Sequence, residues 1–289
     1  ENAMSNVREG EMGKINAVVR HELDHEVTIW GASTAYVHFD AQKMTNELGL
    51  SVFNMGIDGT NIDQYYGLLK EYLEYTNKSK YLVIALDVHG GFMKREALYN
   101  IHNWTHHFSN SNINNCFSSI DYSLMWKCKY VPFYKLTVYN KHNFRYVRNN
   151  LTSTQGSYNF PRSGYSPNPV NNHNLDEVTG EDHLVDIDTT VYNKLSLACE
   201  LAKAKNIQPI IIITPCYSKG FNRLKNAKEV VSKIQGFSQI GVKVFNYSQS
   251  EISKDAKLFN DFTHLNKVGA AKLSSMFVKD FKKEVLNLD

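Results

Sequence analysis

At 289 residues the chain can bury about three quarters of its unfolded surface in a single α/β domain, so length does not demand a second one. With 42% hydrophobic and 21% charged residues, it is not disordered, collagen-like or coiled-coil. A formal net charge of +3 from scattered basic residues argues against a nucleic-acid partner, and no apolar run is long enough to cross a bilayer.

Glu1, Asn2, Ala3 and Met4 read as a cloning remnant ahead of an internal start, with any export signal or anchor expected upstream. Residues 1–24 are expected to be this remnant and a leader helix. Val27, Thr28, Ile29 and Trp30 form an apolar, β-branched run ending at Gly31, the pattern of a buried strand entering a tight turn. Helical spacing over 40–48 follows, then a short strand over 51–55 closed by the glycine turn 56–59. Residues 61–75 place Ile62, Tyr65, Tyr66, Leu69 and Leu73 on one helical stripe, with Asn61 or Thr60 as N-cap. The continuous apolar run 81–86 predicts a strand covered on both faces, as in a parallel sheet.

From 94 to 181 the pattern breaks down into sequence rich in Asn, Ser, Tyr, Trp and His, with short helices expected near 122–126 and 136–147. A stretch of this length reads as an inserted cap or subdomain. Its aromatic and amide side chains suit either a sugar-docking surface or an ordinary small core. Regularity returns with a helix over 189–206, a strand over 209–214, a helix over 227–234, a strand over 242–245 and a C-terminal helix over 267–285. This alternation implies an α/β fold, a flavodoxin-like three-layer sandwich with a central parallel sheet. The domain spans 25–289, interrupted by the insertion at 94–181.

Cys116, Cys128, Cys199 and Cys216 contain no CxxC pair. Cys116 and Cys128 are either bridged in an oxidising compartment or free buried thiols. Cys216 is read as a small pocket-lining thiol. His102, His106 and His107 lie near one another without a carboxylate or cysteine at metal-ligand spacing, and are read as a polar cap surface.

Three groups of residues carry chemistry. Gly31, Ala32 and Ser33 follow the first strand, so Ser33 is expected at the carboxyl edge of the sheet beside a helix N-terminus that favours a developing anion. Asp261 and His264 stand three positions apart before the last helix, where a carboxylate can orient an imidazole that takes a proton from a hydroxyl. The stretch 54–59 supplies glycines that let backbone N–H groups approach a substrate closely. Taken singly, each has a plainer reading as a helix cap, a surface histidine or a tight turn.

Together these residues resemble the SGNH/GDSL hydrolase superfamily over roughly 25–92 and 189–285. The resemblance implies Ser33 as nucleophile, Asp261 and His264 as its acid and base partners, and the N–H groups of Ser33 and Gly59 as oxyanion donors. The family's third block ends its strand in Gly-x-Asn-Asp, whereas Asp87, Val88, His89 and Gly90 stand here. His89 therefore falls where the oxyanion asparagine is expected, either as a substitute donor or as a loop residue; Asp87 is read as structural. The first block, the 54–59 turn, the Tyr65 and Tyr66 helix and the altered third block are similar to the branch of the teichoic-acid D-alanine transfer protein and related surface-polysaccharide acyl-modification proteins. That branch implies an extracytoplasmic serine esterase or acyltransferase working through an acyl-enzyme on Ser33. It further implies an acylated carbohydrate or polysaccharide substrate, membrane-anchored or cell-envelope assembly partners, and no metal or organic cofactor. A catalytically inactive binding or assembly protein for surface polysaccharide is the alternative.

Overall fold

The computed structural model describes residues 2–94, 96–141, 143, 144, 148, 157–170, 175 and 180–288. Among them, five parallel strands form one sheet: β1 (Val27–Gly31), β2 (Val52–Asn54), β3 (Tyr81–Leu86), β4 (Gln208–Ile213) and β5 (Lys243–Asn246). Their spatial order is β2-β1-β3-β4-β5, with Ile29 opposite Asn54 on one side and Val83 on the other. The main helices are α1 (Gly10–Val19), α2 (Ser33–His38), α3 (Ala41–Leu48), α4 (Ile62–Tyr75), α5 (Ser111–Ser118) and α6 (Tyr122–Tyr130). They continue with α7 (Thr189–Ala204), α8 (Ser218–Arg223), α9 (Ala227–Gln235) and α10 (Lys267–Glu284).

Successive strand side chains point to opposite faces. Trp30, Leu82, Ile84, Leu86, Ile211 and Ile213 join one core; Val27, Ile29, Val83, Ala85, Ile210 and Ile212 join the other. Both faces are therefore covered, which is why these strands read as unbroken apolar runs. Leu68 and Leu69 of α4, Leu195 and Ala198 of α7, and Val230 and Ile234 of α9 close the first face, joined by Ile15 and Val18 of α1. Ala35 of α2, Met44 of α3, and Leu273, Phe277 and Phe281 of α10 close the second. The three layers of the expected sandwich are thus in place. Each fully buried isoleucine of β4 contributes on the order of 2 kcal/mol of transfer free energy.

Local chemistry sets the helix starts. Asp40 accepts the Lys43 N–H at 3.2 Å and opens α3, while Phe39 is extended and separates α3 from α2. Asn61 caps α4 by accepting the Asp63 N–H at 3.0 Å. Asn266 caps α10 by accepting from Val268 and Gly269 at 3.0 and 3.2 Å. Asp261 is thereby left out of helix capping.

In the inserted stretch, α5 sends Ile113, Cys116 and Phe117 into the core on the α4 side of the sheet. The helix expected over 122–126 extends to Tyr130. Residues 134–138 form a 3-10 turn, and residues 142 and 145–147 of the helix expected over 136–147 lie outside the described residues. The reading of His106 and His107 as a polar cap surface is corrected: both are buried. Their Nε2 atoms lie 2.7 and 2.6 Å from Asn16 Oδ1. Asn16 donates its amide to the Met4 and Val7 carbonyls, so its Oδ1 is left as acceptor and each imidazole donates through Nε2. Burial, with the charge of Arg20 beside it, brings His107 down to about 4, so the ring is neutral near pH 7. All four cysteines are free and buried.

Candidate active site

The chain runs from β1 outward to β2 and then back across β1 to β3, so the sheet order reverses between β1 and β3. A crevice at the carboxyl ends is expected at such a point. Ser33 lies just beyond β1, the 56–59 turn beyond β2, and Asp87 and His89 beyond β3. Ala32 is the N-cap of α2 and Ser33 its first residue, so the Ser33 hydroxyl is not engaged in capping.

Three side chains meet there. His264 Nδ1 lies 2.8 Å from Asp261 Oδ2 and 3.0 Å from Oδ1, and His264 Nε2 lies 2.7 Å from Ser33 Oγ. An ionised carboxylate only accepts, so Nδ1 carries the ring proton and Nε2 accepts from the serine hydroxyl. Asp261 Oδ1 also accepts the N–H groups of Thr263 and His264, each at 2.8 Å, and the Thr263 hydroxyl at 3.0 Å. Burial works to raise the Asp261 carboxyl, but the hydrogen bond and charge of His264 and these backbone donors outweigh it. They hold the group well below the usual carboxylate range. Burial likewise opposes the His264 cation, yet the Asp261 hydrogen bond and charge, with Asp87 and Asp58 behind them, raise His264 above its ordinary value of 6.5.

A residue that sequence reasoning missed holds this arrangement from behind. His38, at the end of α2, accepts the Leu265 N–H through Nε2 at 3.0 Å. It thus ties the serine's helix to the residue after His264. Burial and the neighbouring His264 charge bring it down to about 3, which keeps it a neutral acceptor. Its one sequence signal is that it closes the same short helix that Ser33 opens.

Ser33 and His264 open onto a cavity of about 330 Å³, whose walls include Gly59, Asn61, Tyr65 and His89. Gly59 adopts φ +68°, and a Cβ there would sit 2.0 Å from the Tyr99 ring. The backbone conformation favours glycine, and any side chain there would have to displace the Tyr99 ring. Among the described residues the Gly59 N–H has no acceptor, and the Ser33 N–H, at a helix start, has none in its own helix. Behind the turn, Asn54 donates to the carbonyls of Ala35 and Phe39 at 2.7 and 3.0 Å and accepts the Gly56 N–H at 2.9 Å. The His89 Nε2 atom is buried without a partner among the described residues, and burial lowers this imidazole despite the adjacent Asp87 charge. Asp87 accepts the N–H groups of His89 and Gly90 at 2.9 and 2.6 Å, which shapes the loop after β3. Cys216 does not line this cavity: its thiol is packed in the core, and burial pushes it up to about 12.

The chain resembles two solved structures. One, from Desulfitobacterium hafniense DCB-2, is described as a lipolytic protein of the G-D-S-L family; it is 10% identical with a TM-score of 0.43, over 88% of this chain and 98% of the other. The second, described as an acylhydrolase from Bacteroides fragilis NCTC 9343, is 13% identical with a TM-score of 0.43, over 91% and 88%. No family model matches the chain, and no curated protein matches it in sequence.

Proposed function

We propose that the chain is a serine-dependent esterase or acyltransferase of the SGNH type, with Ser33, His264 and Asp261 as its catalytic triad. The observation that carries this reading is the relay itself, from Asp261 Oδ2 to His264 Nδ1 at 2.8 Å and from His264 Nε2 to Ser33 Oγ at 2.7 Å. His264 removes the hydroxyl proton as Ser33 Oγ bonds to the ester carbonyl carbon. The oxyanion is held by the N–H groups of Ser33 and Gly59 and by the His89 Nε2–H. As the tetrahedral intermediate collapses, His264 returns the proton to the departing alcohol. Water or a second hydroxyl, giving its proton to His264, then bonds to the acyl carbon, and His264 returns the proton to Ser33 Oγ as the Ser33–acyl bond breaks. Asp261 stays ionised throughout and stabilises the imidazolium.

For the substrate we favour O-acyl groups on carbohydrate or cell-surface polysaccharide, handled outside the cytoplasm with envelope assembly partners. Tyr99 supports this: its ring lies against Gly59, a wall of the cavity, and the residue is 44% exposed, an aromatic group on which a sugar ring can rest. Among the described residues no helix is long and apolar enough to cross a membrane.

The test is covalent labelling with a fluorophosphonate. Mass spectrometry should find the label on Ser33, and its absence under conditions that label a control esterase would favour a non-catalytic binding protein. His89→Ala should keep the label yet lower kcat on p-nitrophenyl acetate by at least roughly tenfold, since one oxyanion donor can contribute 10² or more. An unchanged kcat would remove His89 from the oxyanion hole.

The pH profile has a defined sign. Only neutral His264 can accept the serine proton, so kcat/KM should rise as His264 loses its proton. Because Asp261 raises that group, the inflection should lie above 6.5. Asp261→Asn should bring it down. A wild-type inflection below 6.5 would contradict the assignment of His264 as the base.

A further inference from the structure

We propose that Glu11 and Lys14 of α1 are positioning residues for the oxyanion donors, holding the 56–59 turn against the helix bearing Ser33. This rests on the role assigned to Gly59 above.

Lys14 is 1% exposed, a rare place for a lysine. Its ammonium donates to the Gly56 carbonyl at 2.9 Å and lies 4.3 Å from the centroid of the Tyr36 ring. Tyr36 belongs to α2, within a turn of Ser33. One turn earlier on α1, Glu11 accepts the Asp58 N–H at 2.6 Å and the Asn103 amide at 3.3 Å. The two side chains, three positions apart on one helix face, therefore take hold of the turn at Gly56 and at Asp58, next to the Gly59 N–H. On its other side the turn is wedged against α2, since a Cβ on Gly56 would lie 2.3 Å from the Tyr36 nitrogen. The turn cannot slide toward α2, and α1 keeps it from moving away.

A buried lysine is a poor source of stability, because burial penalises its charge. Apolar residues at 11 and 14 would serve packing alone at least as well. What an apolar pair cannot do is bond the Gly56 carbonyl and the Asp58 N–H, and so set the direction of the next donor in the chain. Oxyanion stabilisation depends steeply on that direction.

The test compares Glu11→Met, Glu11→Gln, Lys14→Met and Ile15→Val by kcat and KM on p-nitrophenyl acetate, alongside thermal melting and fluorophosphonate labelling. Glu11→Met and Lys14→Met should each lower kcat about tenfold to hundredfold, with KM within about twofold of the parent. Glu11→Gln keeps an acceptor for Asp58 and should retain most of the parent kcat. Ile15→Val removes a core methylene from the same helix and should lower the melting midpoint without touching kcat. Unchanged kcat in both Met variants of an active parent overturns this inference alone, as does an Ile15→Val loss of kcat equal to theirs. A parent that neither labels nor hydrolyses overturns the proposed function and this inference together.

Discussion

Ser33→Ala should lower kcat/KM on p-nitrophenyl acetate by at least roughly 10⁴-fold and leave the melting midpoint within about 2 °C of the parent. The loss is large because, among the described residues, no other hydroxyl is hydrogen-bonded to His264 Nε2. Ser33 Oγ stands 2.7 Å from the one ring nitrogen whose lone pair is free. Thr263 has a hydroxyl too, but it lies 3.1 Å from Nδ1 and donates to Asp261, so it does not face Nε2. The stability should survive because the hydroxyl does not cap α2 and alanine is a good residue for its first turn. Under the proposed triad, whose members act as a unit, adding His264→Ala to Ser33→Ala should cost little more than Ser33→Ala alone. Steady-state kinetics and melting curves on the parent and these two variants check this. Residual turnover within tenfold of the parent would mean that another nucleophile does the work.

Gly31→Ala should destabilise the fold by about 3 kcal/mol, from overpacking together with backbone strain. Gly31 pairs with Ala85 at the end of β1, and a Cβ there would lie 2.5 Å from the Ala85 carbonyl oxygen and 2.8 Å from Ala35 Cβ. Neither neighbour is a flexible side-chain end: one is backbone of the adjacent strand, the other a core residue of α2. Its φ of +156° is also one that L side chains rarely adopt. Relief requires α2 to move away from β3, which carries Ser33 away from His264, so activity should fall as well. Urea unfolding measures the stability term, and a change below about 1 kcal/mol would show that the edge can yield. Gly31, two positions before Ser33, thus lets α2 pack closely against the sheet. Its contribution to the chemistry is indirect.

Much of this was legible beforehand. The isoleucines of β4 and the apolar run of β3 read as buried strands because an unbroken apolar run is what a doubly covered strand requires, and that pattern is local. Ser33, Asp261 and His264 could be singled out because each stands just after a strand or before a helix, where an α/β sheet gathers its functional side chains. His38 was missed because its role is to accept one backbone N–H from Leu265, and no spacing rule announces a contact across the fold. His106 and His107 looked like surface residues for a related reason. The hydrogen bond that each makes when buried goes to a single amide, Asn16 of α1, 90 and 91 positions away in the chain. Glu11 and Lys14 carry no signal within the leader helix, because their contacts with the 56–59 turn are made across the fold.

The sequence by itself determined the order of strands and helices, the two-faced burial of the sheet and the residue types available for acyl chemistry. These follow from short-range periodicity and from side-chain chemistry. Only the tertiary structure decided which polar groups meet: Ser33 with His264 across 231 positions, His38 with Leu265, and Lys14 with Gly56. Hydrogen bonds need partners within about 3 Å and in line. That condition is set by how the layers pack, and it leaves no trace in the order of residues along the chain.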